Sequence, residues 1–266
     1  MKKKHGQMSE AFLTAALLSV SGGLQDSYTY IARGQVFANA QTGNIVLLSQ
    51  NLFSGNWGRV LHYLFPLCAF GLGVAAAEAI RWRFQKIRTV HWRQLVLLVE
   101  ILLLLAVGLL SQPLNILANA LVSFACAMQV QAFRKVDGYA FASTMCIGNL
   151  RSGVESLMAG GRTRDRKLLG KAGHYFSVIL LFALGAGIGG LLIPRFGDKT
   201  IWFSCLILTL GFLVMFIRED LEENPDIQAA ENSIHQELRQ ISQDLHKELN
   251  QEHDAIEQQL HHPHKK

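Results

Sequence analysis

The chain has 266 residues, 50% of them hydrophobic, and a mean hydropathy of +0.22. A soluble protein of this length disperses its apolar residues around one core, whereas here they are massed in runs. The formal net charge of +5 does not point to nucleic acid as a partner, because the basic residues lie in short loops between apolar runs, where the positive-inside rule expects them.

In chain order, the basic MKKKH opens a short N-terminal segment, 1–9. Residues 11–32 form a first apolar stretch, interrupted by Gly22, Gly23 and Asp26. The opening resembles a signal peptide, but no small-residue cleavage site follows cleanly, so a mature helix is expected. Residues 36–48, VFANAQTGNIVLL, place Asn39, Gln41, Thr42, Gly43 and Asn44 between apolar flanks. The runs 61–80, 94–111, 114–128, 175–193 and 200–217 are almost free of charge. About 18 such residues in a row mark a transmembrane helix candidate. The polar-centred segment as a whole runs over 36–53, and a second one, 140–160, mirrors it.

Charge divides the chain. Residues 219–266 hold twelve of the twenty acids and four of the 25 Lys and Arg, which leaves residues 1–218 with 21 basic and 8 acidic residues. The four cysteines, Cys68, Cys126, Cys146 and Cys205, are isolated in apolar stretches without a C-x-x-C pair, so neither a zinc site nor a disulfide framework is indicated. There is no Gly-rich phosphate loop, H-E-x-x-H or G-x-S-x-G. Neither a cofactor nor a bound metal is expected, and an enzyme is not expected either, because no nucleophile–base pair is recognisable.

The sequence repeats. HYLFPLCAFGLG (62–73) recurs as HYFSVILLFALG (174–185), with His, Tyr, Phe, Leu and Gly at identical spacing 112 residues apart. VFANAQTGNI pairs with AFASTMCIGNL at an offset of 104 to 105, and Gln25 pairs with Gln129. Residues 10–111 and 115–218 therefore read as two copies of one unit. If the two short polar segments dip into the membrane and return, six crossings remain. MKKKH, 81–93, Arg134-Lys135 and 161–171 then all fall on the cytoplasmic side. Eight crossings would put RWRFQKIRTVHWR (81–93) outside. The expected fold is an all-α polytopic membrane protein. It has six transmembrane helices as two inverted three-helix repeats, each with a re-entrant or broken polar segment, a C-terminal cytoplasmic helix, and both termini cytoplasmic.

Irregular polar backbone at membrane depth is tolerated only where it is buried in protein or lines a wet cavity. Inverted repeats with such segments at corresponding positions point to a transporter's central site. TGN (42–44) and IGN (147–149) form such a pair: Gly43 and Gly148 permit close approach, and Asn44 and Asn149 offer amide donors and acceptors. The alternative is that these residues only knit helices together.

GGLQDSYTYIARGQVFANAQTGNIVLL, followed by GNLRSG (148–153), resembles the YoaK family of bacterial inner-membrane proteins over roughly residues 10–218. Gly22-Gly23, Asp26, Tyr30, Gly34, Phe37 and Thr42-Gly43-Asn44 stand where that family has them; Ile147 departs from its common Thr. The resemblance implies a multi-pass protein of the bacterial inner (plasma) membrane and supplies no substrate.

Ionisable residues inside apolar segments are costly, about 2.5–3.5 kcal/mol on insertion scales, and so call for a partner or a function. Asp26, Glu100 and the Arg151/Glu155 pair, four apart on one helix face, stand out. The substrate- or ion-binding candidates are Asp26, Tyr30, Thr42, Gly43, Asn44, Gln129, Gly148, Asn149 and Arg151. The tail, 219–266, is acidic, with an apolar stripe from Ile227 to Leu260 at helical spacing, and is expected to self-associate through 227–260 or dock on the protein's own basic loops. The leading functional expectation is a small transporter or permease, in contact with membrane lipid, that takes a small solute or cation between the two Gly-Asn segments. The alternative is a non-transporting scaffold or sensor.

Overall fold

The computed structural model describes residues 3–84, 92–136, 139–140 and 144–219. The expectations for the tail beyond Glu219, and for most of the basic loop 85–91, lie outside the described residues. The first compact unit runs to Ile217, and the second begins at Arg218.

Eight α-helices make up almost all of the described residues: α1 (Lys3–Ala32), α2 (Gln41–Phe53), α3 (Trp57–Phe84), α4 (Trp92–Val107), α5 (Asn115–Ala132), α6 (Cys146–Thr163), α7 (Arg166–Phe196) and α8 (Ile201–Glu219). A two-residue antiparallel pairing, β1 (Lys135–Val136) with β2 (Tyr139–Ala140), is the exception to the all-helical expectation. It closes the connection between α5 and the polar segment before α6. Single 3-10 turns, Gln112–Leu114 and Gly197–Thr200, link α4 to α5 and α7 to α8. Pro113 stands in the first of them, where its missing N–H goes unneeded.

Each polar-centred segment yields a helix, α2 of 13 residues and α6 of 18, and the apolar runs yield helices of 16 to 31 residues. The stretches Trp57–Phe84, Gln112–Ala132 and Arg166–Met215 are long and apolar enough to cross a membrane by length and composition. Their outward faces carry residues such as Leu72, Leu180, Leu191 and Leu206, each more than 60% exposed. Apolar surface on this scale suits lipid rather than water.

Packing is by exchange between the two halves of the chain. α1 lies along α7, and α3 lies along α5. Both contacts are made at glycine. A Cβ on Gly23 would sit 1.9 Å from the Phe182 carbonyl oxygen, and one on Gly185 2.0 Å from that of Val20. On the other pair, a Cβ on Gly73 would sit 2.3 Å from the Phe124 carbonyl oxygen. Only a missing side chain lets these backbones approach so closely, and dispersion and close packing, not water exclusion, hold helices together in lipid. α2 packs on α3, and α6 packs on α7. Leu18, Tyr28, Leu97, Leu104, Val122, Cys126 and Leu208 form a core shared by α1, α4, α5 and α8.

Candidate functional site

Helix α1 carries polar residues one turn apart at Ser21 and Gln25, both fully buried. The Gln25 amide donates from Nε2 toward Ser21 Oγ at 3.0 Å, Ser204 Oγ at 3.1 Å and Glu100 Oε1 at 3.2 Å. The Cys126 thiol donates back to Gln25 Oε1 at 2.7 Å, and Ser21 Oγ and Ser204 Oγ lie 2.5 Å apart. One glutamine side chain thus ties α1 to α4, α5 and α8. Glu100 has no exposed surface, and its Oε2 has no hydrogen-bond partner.

Asp26 is the next residue of α1 and faces the segment that precedes α2. Its Oδ1 accepts from the Asn39 backbone N–H at 2.7 Å and from Asn39 Nδ2 at 3.4 Å. Asn39 Nδ2 also donates to the Gly22 carbonyl at 3.3 Å. From the other half of the chain, Thr144 stands against the same glycine: a Cβ on Gly22 would meet Thr144 Cγ2 at 2.3 Å. The residues that lead into α2 and into α6 therefore converge on one turn of α1. Neither helix start has a side-chain cap. The first-turn N–H groups of a helix, and the positive end of its dipole, are suited to an acceptor or an anion.

Asn44 is wholly occupied locally. Its Nδ2 donates to the Phe37 carbonyl at 2.6 Å and to Gln41 Oε1 at 2.9 Å, while its Oδ1 accepts from Phe37 N–H at 3.0 Å. This ties the approach segment back onto α2. Gly43 lies under the Phe37 ring, where a Cβ would have 3.0 Å of room. Gln129 is buried on α5 and donates to the Leu18 carbonyl at 3.4 Å, and Asn149 is buried at the first turn of α6. Thr42, Gly148 and Arg151 are exposed. Arg151 Nε instead pairs with Glu155 Oε1 at 2.9 Å, as their spacing predicts.

Tyr30, one helical turn beyond Asp26, is 40% exposed and stacks on Phe37 with ring centroids 4.7 Å apart. With Ile31, Gly34, Gln35 and Arg59 it lines an open groove. The groove floor is a tight reversal: Gly34 has φ 89° and Gln35 φ 65°, and His62 Nε2 is 2.8 Å from the Gly34 carbonyl. A non-glycine residue in the left-handed region is uncommon and is held only where surrounding contacts require it.

Residues 14–214 match the family model described as "Protein of unknown function (DUF1275)". The chain belongs to this family. It is similar to the UPF0700 transmembrane protein YoaK of Bacillus subtilis (strain 168), with 28% identity over 211 residues, which is 75% of this chain and 91% of the relative. No solved structure matches. The YoaK resemblance read from the sequence is thereby established, and with it an integral membrane protein. All the candidate residues, from Asp26 to Arg151, fall inside the DUF1275 match, whereas the acidic tail falls outside it.

Sequence reasoning singled out Glu100 without finding its partner, and it missed Arg33. Glu100 stood alone in LLVEILLLL, and only the fold brings it to Gln25; the recurrence of Gln25 as Gln129 was the available signal. Arg33 is fully buried at the C-terminal end of α1. It donates to Tyr28 Oη at 2.7 Å, Asn115 Oδ1 at 3.0 Å and the carbonyls of Leu110 at 2.8 Å and Val107 at 3.2 Å, with Asp198 3.7 Å away. An arginine that satisfies four acceptors, on α1, α4, α5 and the α4–α5 connection, is a joint between elements, and its IARG context gave no hint of that role.

Proposed function

We propose that this protein is a membrane transporter for a small polar solute, built from two inverted three-helix repeats with six crossings, in which α2 and α6 are the re-entrant segments. The observation that carries the reading is the convergence of Asn39 and Thr144 on Gly22, next to the Asp26 carboxylate. Two half-helices that start at one depth from opposite halves of the chain, with uncapped first turns, form the kind of arrangement used to hold a solute near the midplane. The exchange of partners supports the repeat: Gly73 meets Phe124 and Gly185 meets Val20, and these pairs are related by the same 112- and 104-residue offsets read from the sequence.

In this reading the solute enters through the groove at Tyr30, Gln35 and Arg59 and reaches Asp26 one turn deeper. Asp26 supplies a carboxylate, the α2 and α6 starts supply N–H donors, and the buried Gln25–Glu100 pair lies behind them on α1 and α4. A buried carboxylate in a membrane helix is costly without a role or a partner. The binding candidates Thr42, Gly148 and Arg151 have no direct part in this arrangement. Gly43 and Asn44 shape the entry to α2.

The rival reading, a non-transporting scaffold or sensor, draws on one observation: Asn44 spends every polar atom on its own segment. Asp26→Asn separates the two. Asparagine keeps an Oδ1 acceptor for Asn39, so the fold is retained, but it removes the charge. In a thermal-shift screen of small polar solutes on detergent-purified protein, a binder raises the wild-type Tm, because a ligand stabilises only the folded state that holds its site. Transport predicts that Asp26→Asn abolishes that rise, and abolishes uptake of the same solute in proteoliposomes, at unchanged solute-free Tm. An intact solute response in Asp26→Asn would overturn the site.

A further inference from the structure

We propose that the outward face of α6 is a contact between two copies of this chain in the membrane, with Arg151 of each copy paired to Glu155 of the other. The inward face of α6 is accounted for: Gly153 lies against Tyr175 and Phe176, and Gly160 against Leu168 and Leu169. The opposite face presents Ile147 (79% exposed), Leu150, Val154 and Met158 (69% exposed). In the middle of this apolar face stand Arg151 and Glu155, with side chains 81% and 62% exposed.

Depth makes this arrangement unusual. Thr144, two residues before α6, touches Gly22, the centre of the 11–32 apolar run. At about 1.5 Å of rise per residue, seven residues put Arg151 roughly 10 Å, and eleven put Glu155 roughly 16 Å, from that level. Half a hydrocarbon core is about 15 Å thick. Arg151 thus falls within the apolar span and Glu155 at its edge, on a face that no described helix covers.

The half-helix architecture does not require them. The 105-residue offset that relates Asn44 to Asn149 places Val46 and Gln50 of α2 at the corresponding positions, and Val46 is 61% exposed. One lipid-facing half-helix is therefore uncharged where the other carries an ion pair. The α6 pair has no net charge, so it gives an anionic lipid headgroup no attraction. It is instead self-complementary: a two-fold axis that sets one α6 beside another brings each arginine to the neighbour's glutamate. The same patch then serves both copies, as an isologous contact demands. Reciprocal charged positions flanking an apolar seam also set partner and register in paired helices. The inference rests on membrane insertion alone and stands whether or not the protein transports.

The test is cross-linking of the full chain in native membranes, with Cys68 and Cys146 replaced by alanine. Met158→Cys, on the proposed face, is expected to give a cross-linked dimer with a short bis-maleimide. Leu72→Cys, on the outward face of α3, is the control and is expected to give none. Added to Met158→Cys, Arg151→Glu or Glu155→Arg alone sets like charges opposite each other, and each is expected to cut the dimer about tenfold. Arg151→Glu with Glu155→Arg together restores it. Light scattering of the purified wild type in mild detergent gives the second measure, with the mass of two chains expected. Met158→Cys cross-linking no better than Leu72→Cys, or single charge reversals that leave the dimer intact, would overturn the proposal and leave the face to lipid.

Discussion

Gln25 and Glu100 meet 3.2 Å apart between α1 and α4, each with no more than trace exposure, in a chain where the sequence separates them by 75 residues. The contact is the hub of the buried polar cluster, because the same amide also reaches Ser21 and Ser204 and accepts from Cys126.

Gln25→Leu removes the hub and strands Glu100 and the Cys126 thiol, while Ser21 and Ser204 keep each other. A buried polar group left without its partner costs about 1–3 kcal/mol. For a domain of this size that lowers Tm by roughly 2–10 °C. Glu100→Gln keeps an acceptor for the Gln25 amide and is expected to stay close to wild type. Thermal unfolding of both variants in detergent checks the pair: a Gln25→Leu variant as stable as Glu100→Gln would show that the cluster holds nothing together.

Gly23→Ala forces a methyl group to within 1.9 Å of the Phe182 carbonyl oxygen, so α1 and α7 must separate. Overpacking of this kind costs about 1–3 kcal/mol. At Gly71, on the outer side of α3, a Cβ meets nothing within 4 Å, so Gly71→Ala is expected to be neutral or slightly stabilising. The difference in Tm between these two single-methyl variants measures the tightness of the α1–α7 contact.

Arg33→Lys exchanges a planar fork for a point charge. Lysine cannot reach Tyr28, Asn115 and two carbonyls at once, so the joint between α1 and the α4–α5 turn loosens by about 2–4 kcal/mol. Limited proteolysis near Gln112 is expected to accelerate in this variant. Cleavage at the wild-type rate would mean that Tyr28 and Asn119, which donates to the Arg33 carbonyl, hold the turn by themselves.

Orientation has its own test. Asn56 lies in the turn between α2 and α3, and Arg164 between α6 and α7; both are exposed. With six crossings and both termini cytoplasmic, Asn56→Cys reacts with a membrane-impermeant maleimide in intact cells, whereas Arg164→Cys reacts only after the membrane is permeabilised. Labelling of both from the outside would leave the two halves without opposite orientation.

Much of this architecture was legible because lipid makes few demands and states them in runs of composition. Each apolar run became a helix, and so did the two interrupted segments, as α2 and α6. The Arg151–Glu155 pair followed from helical spacing alone. What could not be read was which helices are neighbours. Gln25 touches Glu100 and Ser204, not the Gln129 with which it pairs in sequence, because helix association in a membrane depends on where two backbones can approach, and glycine spacing states the fit without naming the partner. Asn44 shows the limit on the site side. Its composition suggested a ligand, whereas its geometry spends it on Phe37 and Gln41.

The crosswise pairing of α1 with α7 also has a consequence for biogenesis. Gly23 can seat against Phe182 only after another 159 residues have been made. At about 5–20 residues per second, that leaves α1 without its partner for roughly 10–30 s. Ser21 lacks Ser204 throughout that interval, and Gln25 lacks Glu100 and Arg33 lacks Asn115 for its first part, so these polar groups have to be shielded from lipid by something other than their final neighbours. The assembly of this protein is therefore expected to depend on insertion machinery that retains early helices, and a chain severed between α4 and α5 should insert as two fragments that become stable only when both are made in the same cell.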